Sequence, residues 1–185
     1  MKKSIRKYLI SIRDSLPIQN QIEYSRTIHE KLLSTPEWKR SNIVMFYISI
    51  NSEVMTLNLL SKAFDEKKVI LLPKVTNEGM ISVKVPHNFK LITGYKGILE
   101  PYEGETFNNY IDLILVPLVG FDKEGYRIGY GGGFYDTFLS KNSKRIGLKI
   151  GLAYECQKIK YIPKEKHDQK LDIIITEKNI YLFNT

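Results

Sequence analysis

The sequence holds a single cysteine, Cys156, among 185 residues. No internal disulfide can form and no cysteine-based zinc site exists, a composition that suits a reducing compartment. No apolar run approaches the roughly 20 residues that a membrane span needs. The N-terminal stretch "MKKSIRKYLISIRDSL" carries charges throughout instead of the unbroken apolar core of a signal peptide. A cytoplasmic location without a membrane partner is the expectation. There is no G-x-x-x-x-G-K-[ST] phosphate loop, and the stretch "GYGGGF" puts Phe134 where a dinucleotide fingerprint requires its third glycine. Zinc-finger spacing and aromatic RNP-type motifs are also missing, which argues against a nucleic-acid-binding module. No repeat, low-complexity tract or long linker interrupts the chain, and no Ser-His-Asp or Cys-His arrangement marks a covalent nucleophile.

What is present fits one domain. A chain of this length buries about 70% of its unfolded surface, enough for stability without metal or disulfide. The 28 Lys and Arg outnumber 20 Asp and Glu, for a net charge of +8. Such a balance favours anionic partners, or reflects a generally basic surface.

Apolar spacing of three and four residues predicts helices over 2–15 and 18–34, separated by Pro17, and another over 55–67. Short β-branched and aromatic runs predict strands at 42–49, 69–74, 80–85, 89–92, 111–122, 145–151 and 171–176, with an edge strand at 179–184. The run "IDLILVPLVGFD" at 111–122 is the strongest of them. Unbroken apolar strands alternating with helices predict a parallel sheet covered on both faces.

Six of the twelve glycines fall between Gly120 and Gly133, at the end of that strand and just before a predicted helix at 134–141. Ligands of open α/β sheets bind at such a place. Glycine allows positive φ and leaves no Cβ in the way, while successive N–H groups at a helix start attract anions. Arg127 adds a charge-assisted donor. Asp136, just past the loop, suits either a Mg²⁺ ligand or an acid in the first helical turn. None of the three histidines carries a strong motif: His29 and His87 read as solvated, and His167, although it precedes Asp168 near the late-strand acid, reads more as a surface residue than as a neighbour of the site; Cys156 reads as a small buried hydrophobe. Tyr135 and Tyr154 read as walls for flat rings.

"LVGFDKEGYRIGYGGGFYDTFL" resembles the signature of the 5-formyltetrahydrofolate cyclo-ligase family, also called methenyltetrahydrofolate synthetases. "KKSIR", "YISINSEVMT", Pro73-Lys74, Glu100-Pro101 and "KLDIIITE" extend the resemblance along the whole chain in order. It implies a three-layer α/β/α fold with a mostly parallel central sheet, formed as one domain over 1–185. It also implies ATP-dependent, Mg²⁺-assisted conversion of 5-formyltetrahydrofolate into 5,10-methenyltetrahydrofolate. ATP contacts carry over to Lys2, Lys3, Ser4, Ile5 and Arg6. In the loop they carry over to Arg127, Ile128, Gly129, Tyr130, Gly131, Gly132, Gly133, Phe134 and Tyr135, with Arg127 as electrostatic stabiliser. Folate contacts carry over to Ile48 and Glu53, and Mg²⁺ ligands to Asp136 and Asp172. Some family members have Arg and Lys where this loop has Tyr130 and Gly132. Backbone N–H groups and Lys74 are then expected to share the phosphate charge with Lys2, Arg6 and Arg127. The expected partners are small molecules, without nucleic acid, and a monomer is favoured.

Overall fold

The computed structural model describes residues 1–183, so Asn184 of the expected edge strand lies outside the described residues. Helix α1 spans Lys2–Asp14, and Pro17 separates it from α2, Ile18–Ser34. A short helix not anticipated from periodicity follows, α3 at Pro36–Arg40. Its signal is local: the Thr35 hydroxyl caps the Trp38 N–H at 3.2 Å and Pro36 occupies the first turn. Then come β1 Ile43–Met45, α4 Leu57–Asp65, β2 Val69–Thr76 and β3 Gly79–Lys84. A hairpin of β4 Leu91–Thr93 and β5 Leu99–Pro101 leads to β6 Glu105–Thr106, β7 Ile111–Val116, β8 Gly120–Phe121 and β9 Arg127–Ile128. Helix α5 Phe134–Lys141, β10 Ile146–Leu152, β11 Ile173–Ile175 and β12 Ile180–Leu182 complete the order.

Eight strands form one sheet in the order β12-β11-β10-β7-β1-β2-β3-β6. The five from β11 to β2 are mutually parallel, and antiparallel strands close both edges. The apolar run of β7 explains its central place. Leu113 and Leu115 point into one buried cluster with Ile28, Leu32 and Leu59 from α2 and α4. Ile114 and Val116 point into the opposite cluster with Phe138 and Leu139 from α5. A strand covered on both faces is apolar along its buried length; the one acid of β7, Asp112, is only part-buried and accepts from the Asn42 and Ile43 N–H groups. Gly147 in β10 lacks a Cβ where one would stand 2.5 Å from the Asp112 carbonyl oxygen, so the two neighbouring backbones can approach closely.

The expected strand over 42–49 is cut to three residues. Residues 46–50 leave the regular ladder and stay largely buried while crossing the end of the sheet. Helix α1 packs there too, with Leu9 against Val119, Ile128 and Ile162. No helix among the described residues is long and apolar enough to cross a membrane.

Candidate active site

A cleft of about 410 Å³ opens at the C-terminal ends of the parallel strands. Tyr47 and Ile48 beyond β1 and Pro117 beyond β7 form its floor, and Tyr95 and Ile98 of the segment joining β4 to β5 form part of its rim. The Tyr95 ring meets Phe134 edge-on, with centroids 5.2 Å apart, so this hairpin touches the glycine loop across the cleft.

One wall is the segment 47–56. Thr56 organises it: its hydroxyl donates to the Tyr47 carbonyl at 2.7 Å and accepts from the Ser49 N–H at 3.1 Å. Asn51 sits at φ 51°, in the left-handed region. The resulting turn brings Glu53 to the cleft with only 4% exposure. Helix α4 begins four residues later, so Glu53 is not an acid of its first turn. Its Oε2 accepts from the Ile50 N–H at 2.9 Å, while Oε1 has no hydrogen-bond partner among the described residues. Burial pushes its carboxyl above the ordinary value, and the Ile50 N–H, Arg13 and the nearby Tyr130 hydroxyl pull the other way.

The other wall is the glycine loop. Gly131 and Gly133 take φ of 98° and 70°, which favour glycine. Arg6 lies across the loop: its Nε donates to the Gly129 carbonyl at 2.5 Å, and a Cβ on Gly131 would stand 3.2 Å from its guanidinium carbon. Arg127 is 6% exposed; its Nη1 lies 3.1 Å from Asp136 Oδ1 and donates to the Gln169 carbonyl at 3.0 Å. Tyr135 has a buried hydroxyl without a hydrogen-bond partner among the described residues, and burial raises its pKa far above the ordinary value.

Lys2 also faces the cleft, already paired, at 2.7 Å from Asp168 and 3.3 Å from Glu165. Glu165, His167 and Asp168 bring their ligand atoms within 4.8 Å of one another, with the Lys2 ammonium bridging the two acids. Glu165 and Asp168 carry no motif in the sequence, where a charged run reads as a solvated surface.

The structure thus brings Lys2, Arg6, Arg127 to Asp136, Ile48 and Glu53 to one cleft. It does not bring the side chains of Lys3, Ser4 and Ile5 there: the first two are exposed, and Ile5 packs near Leu9. Asp172 is also elsewhere, so the expected pairing with Asp136 is corrected. It stands one residue before β11, where its carboxylate accepts from the Lys149 N–H at 2.7 Å and lies 3.6 Å from the Lys149 ammonium. That is the start of a parallel strand, whereas the cleft lies at strand ends. Two further expectations fail. Tyr154 is fully buried, bonded to Ser25 and the Glu53 carbonyl, and is not a cleft wall. His29 is buried with Nε2 2.6 Å from the Met55 carbonyl, and burial lowers its pKa. His87 is exposed, with its ring centroid 5.0 Å from that of Phe64.

Residues 1–177 match the model of the 5-formyltetrahydrofolate cyclo-ligase family. The chain belongs to that family. A 5-formyltetrahydrofolate cyclo-ligase of Haemophilus influenzae is 28% identical over 181 residues, covering 94% of this chain and 97% of the relative. The solved 5,10-methenyltetrahydrofolate synthetase of Aquifex aeolicus is 36% identical, with a TM-score of 0.88 and coverage of 100% of this chain and 93% of that one. A second solved synthetase, from Mycoplasma pneumoniae, is 26% identical with a TM-score of 0.77, covering 95% and 98%. The cyclo-ligase family is one of ligases, and this member is an enzyme of that kind with the family's fold.

Proposed function

We propose that the chain uses ATP to cyclise 5-formyltetrahydrofolate to 5,10-methenyltetrahydrofolate, releasing ADP and phosphate. One observation carries this reading. A single cleft in a member of this family has a buried carboxylate on one wall and an arginine-flanked glycine loop on the other. The pterin offers N–H donors that suit Glu53, beside Ile48. The loop N–H groups, Arg6 and Arg127 suit a phosphate chain.

The chemistry explains why no nucleophilic side chain is needed. An N5-formyl group is an amide, so its carbon is a poor electrophile and its oxygen a poor leaving group. Transfer of the γ-phosphoryl group to the formyl oxygen breaks the bond to ADP and leaves an N5-iminium phosphate. The N10 lone pair attacks the formyl carbon, and N10 gives up its proton. The carbon–oxygen bond then breaks, phosphate departs, and the methenyl cation remains. Arg127 stabilises charge spreading over the transferred group. The two walls hold the reactants together, which lowers the barrier by up to roughly 7–11 kcal/mol in ideal geometry.

Mg²⁺ belongs to this reading. Such an ion takes one or two protein carboxylates and keeps several waters. Asp136 fits: it faces the cleft, and Arg127 and the Gln169 N–H engage its Oδ1. Asp136 would hold the ion, which would supply positive charge to the phosphate chain. Asp136→Asn is expected to raise the Mg²⁺ concentration for half-maximal rate severalfold with little change in melting temperature. An unchanged Mg²⁺ titration would leave Asp136 as a helix-start acid. We further read residues 1–185 as one cytoplasmic domain that works as a monomer on small molecules, without nucleic acid or membrane.

The test is absorbance-detected methenyl formation from 5-formyltetrahydrofolate, ATP and Mg²⁺. Folded protein without product would overturn the reading. ATP–Mg²⁺ with a reduced folate should also raise the melting temperature where an oligonucleotide does not.

A further inference from the structure

We propose that Arg13 is a positioning residue that couples the two walls of the cleft, with Tyr130 as its contact on the glycine loop. This rests on the cleft holding two ligands at once, as read above.

Arg13 lies in the last turn of α1 and is only 1% exposed. A buried guanidinium is costly unless its donors are used. Two of them reach the two walls. Nε donates to the Ser52 hydroxyl at 2.9 Å, and Nη2 donates to the Tyr130 hydroxyl at 2.6 Å. Ser52 precedes Glu53, and its own hydroxyl donates to Asp14. The guanidinium carbon also lies 5.7 Å from the centre of the Tyr130 ring.

Tyr130 is the one residue with a side chain between Ile128 and Phe134; its neighbours are Gly129, Gly131, Gly132 and Gly133. Glycines have the most conformational freedom to lose on ordering. The loop has no other side chain of its own for an anchor. Arg6 holds it through the Gly129 carbonyl, and Arg13 holds it through a side chain. A loop ordered around a nucleotide therefore also orders Tyr130, Arg13 and Ser52, next to the Glu53 wall. Glu53 feels both Arg13 and the Tyr130 hydroxyl, and the buried Arg13 Nη1 has no hydrogen-bond partner among the described residues. A ligand seated against Glu53 acts on the same guanidinium from the other side.

Coupling between sites is reciprocal: each ligand tightens the other by the same factor, typically about 5- to 150-fold. The experiment measures dissociation constants of a non-hydrolysable ATP analogue with Mg²⁺, with and without saturating 5-formyltetrahydrofolate. The ratio of the two constants is the readout, so changes common to both cancel. The wild type is expected to show a ratio of at least about 5. Tyr130→Phe removes one hydroxyl from a part-exposed side chain, and its ratio should fall to about 1. Arg13→Lys keeps a buried cation without the fork that reaches both walls, and should lose the coupling likewise. A melting curve accompanies each variant.

A wild-type protein that turns over with a ratio near 1, or a Tyr130→Phe protein with the wild-type ratio, overturns the inference while the proposed function stands. Lost coupling in Tyr130→Phe but not in a folded Arg13→Lys removes Arg13 from the role. A folded wild-type protein with no turnover overturns the underlying reading and the inference with it.

Discussion

Arg127→Ala is expected to lower the rate of methenyl formation by on the order of 10²–10³-fold, the loss typical of removing one preorganised donor from a developing charge. The guanidinium faces the cleft almost fully buried, where low dielectric strengthens its action. Two contacts fix its direction: the Asp136 carboxylate and the Gln169 carbonyl. Its Nε is buried without a partner among the described residues, which leaves it a donor for a ligand. The substitution also removes half of an ion pair. Asp136 is 23% exposed at its side chain, so water and salt compensate part of that loss and the fold should survive. The measurement is a single-turnover rate beside a melting curve, with Arg127→Lys as the control that restores charge without the two-pronged geometry. A loss confined to KM would assign Arg127 to uniform binding of ATP instead of the transferring group. A normal rate in a folded Arg127→Ala protein would leave it as an anchor for Asp136 and residue 169.

The central sheet was legible because its strands are buried on both faces. The apolar run of β7 and the glycines behind it pointed to the right edge of the right strand. The losses share one cause: helical periodicity counts apolar residues, and the helices around the cleft bury polar ones. On α1 the fully buried positions are Leu9 and Arg13. On α2 the buried positions include Gln21, Ser25 and His29. Ser25 accepts from the Met55 N–H, and His29 meets the Met55 carbonyl, so these polar residues hold the segment that presents Glu53. Their partners are about 30 residues away in sequence, and no local pattern announces them. The truncation of the strand expected at 42–49 follows from the same segment, since Tyr47 and Ser49 bond to Thr56 and not to a neighbouring strand. Asp172 was misjudged because a three-residue strand starts just after it, which puts the acid at the beginning of β11. Glu53 itself stood out only through the family resemblance.

Glu53 carries the second large effect. Glu53→Ala is expected to raise the KM for 5-formyltetrahydrofolate by about 10- to 150-fold, the equivalent of losing hydrogen bonds to a charged acceptor. ATP affinity measured without folate should change far less. The isosteric Glu53→Gln separates binding from folding. Burial raises the folded-state pKa of this carboxyl above its unfolded value. Above the unfolded value the unfolded chain therefore binds fewer protons than the native one, and wild-type stability declines as pH rises towards the folded value. The contribution is fully present only below the unfolded pKa. Glutamine has no such titration, so Glu53→Gln should melt at or above the wild-type temperature at neutral pH, and its lead should shrink as pH falls through the acidic range. Its KM should still rise, since a neutral acceptor replaces a charged one. The observations to make are melting curves from acidic to neutral pH beside folate KM values for both variants. Unchanged folate KM in Glu53→Ala would remove this residue from the folate wall. A Glu53→Gln protein less stable than wild type at neutral pH would mean that the charged carboxylate supports the native fold after all.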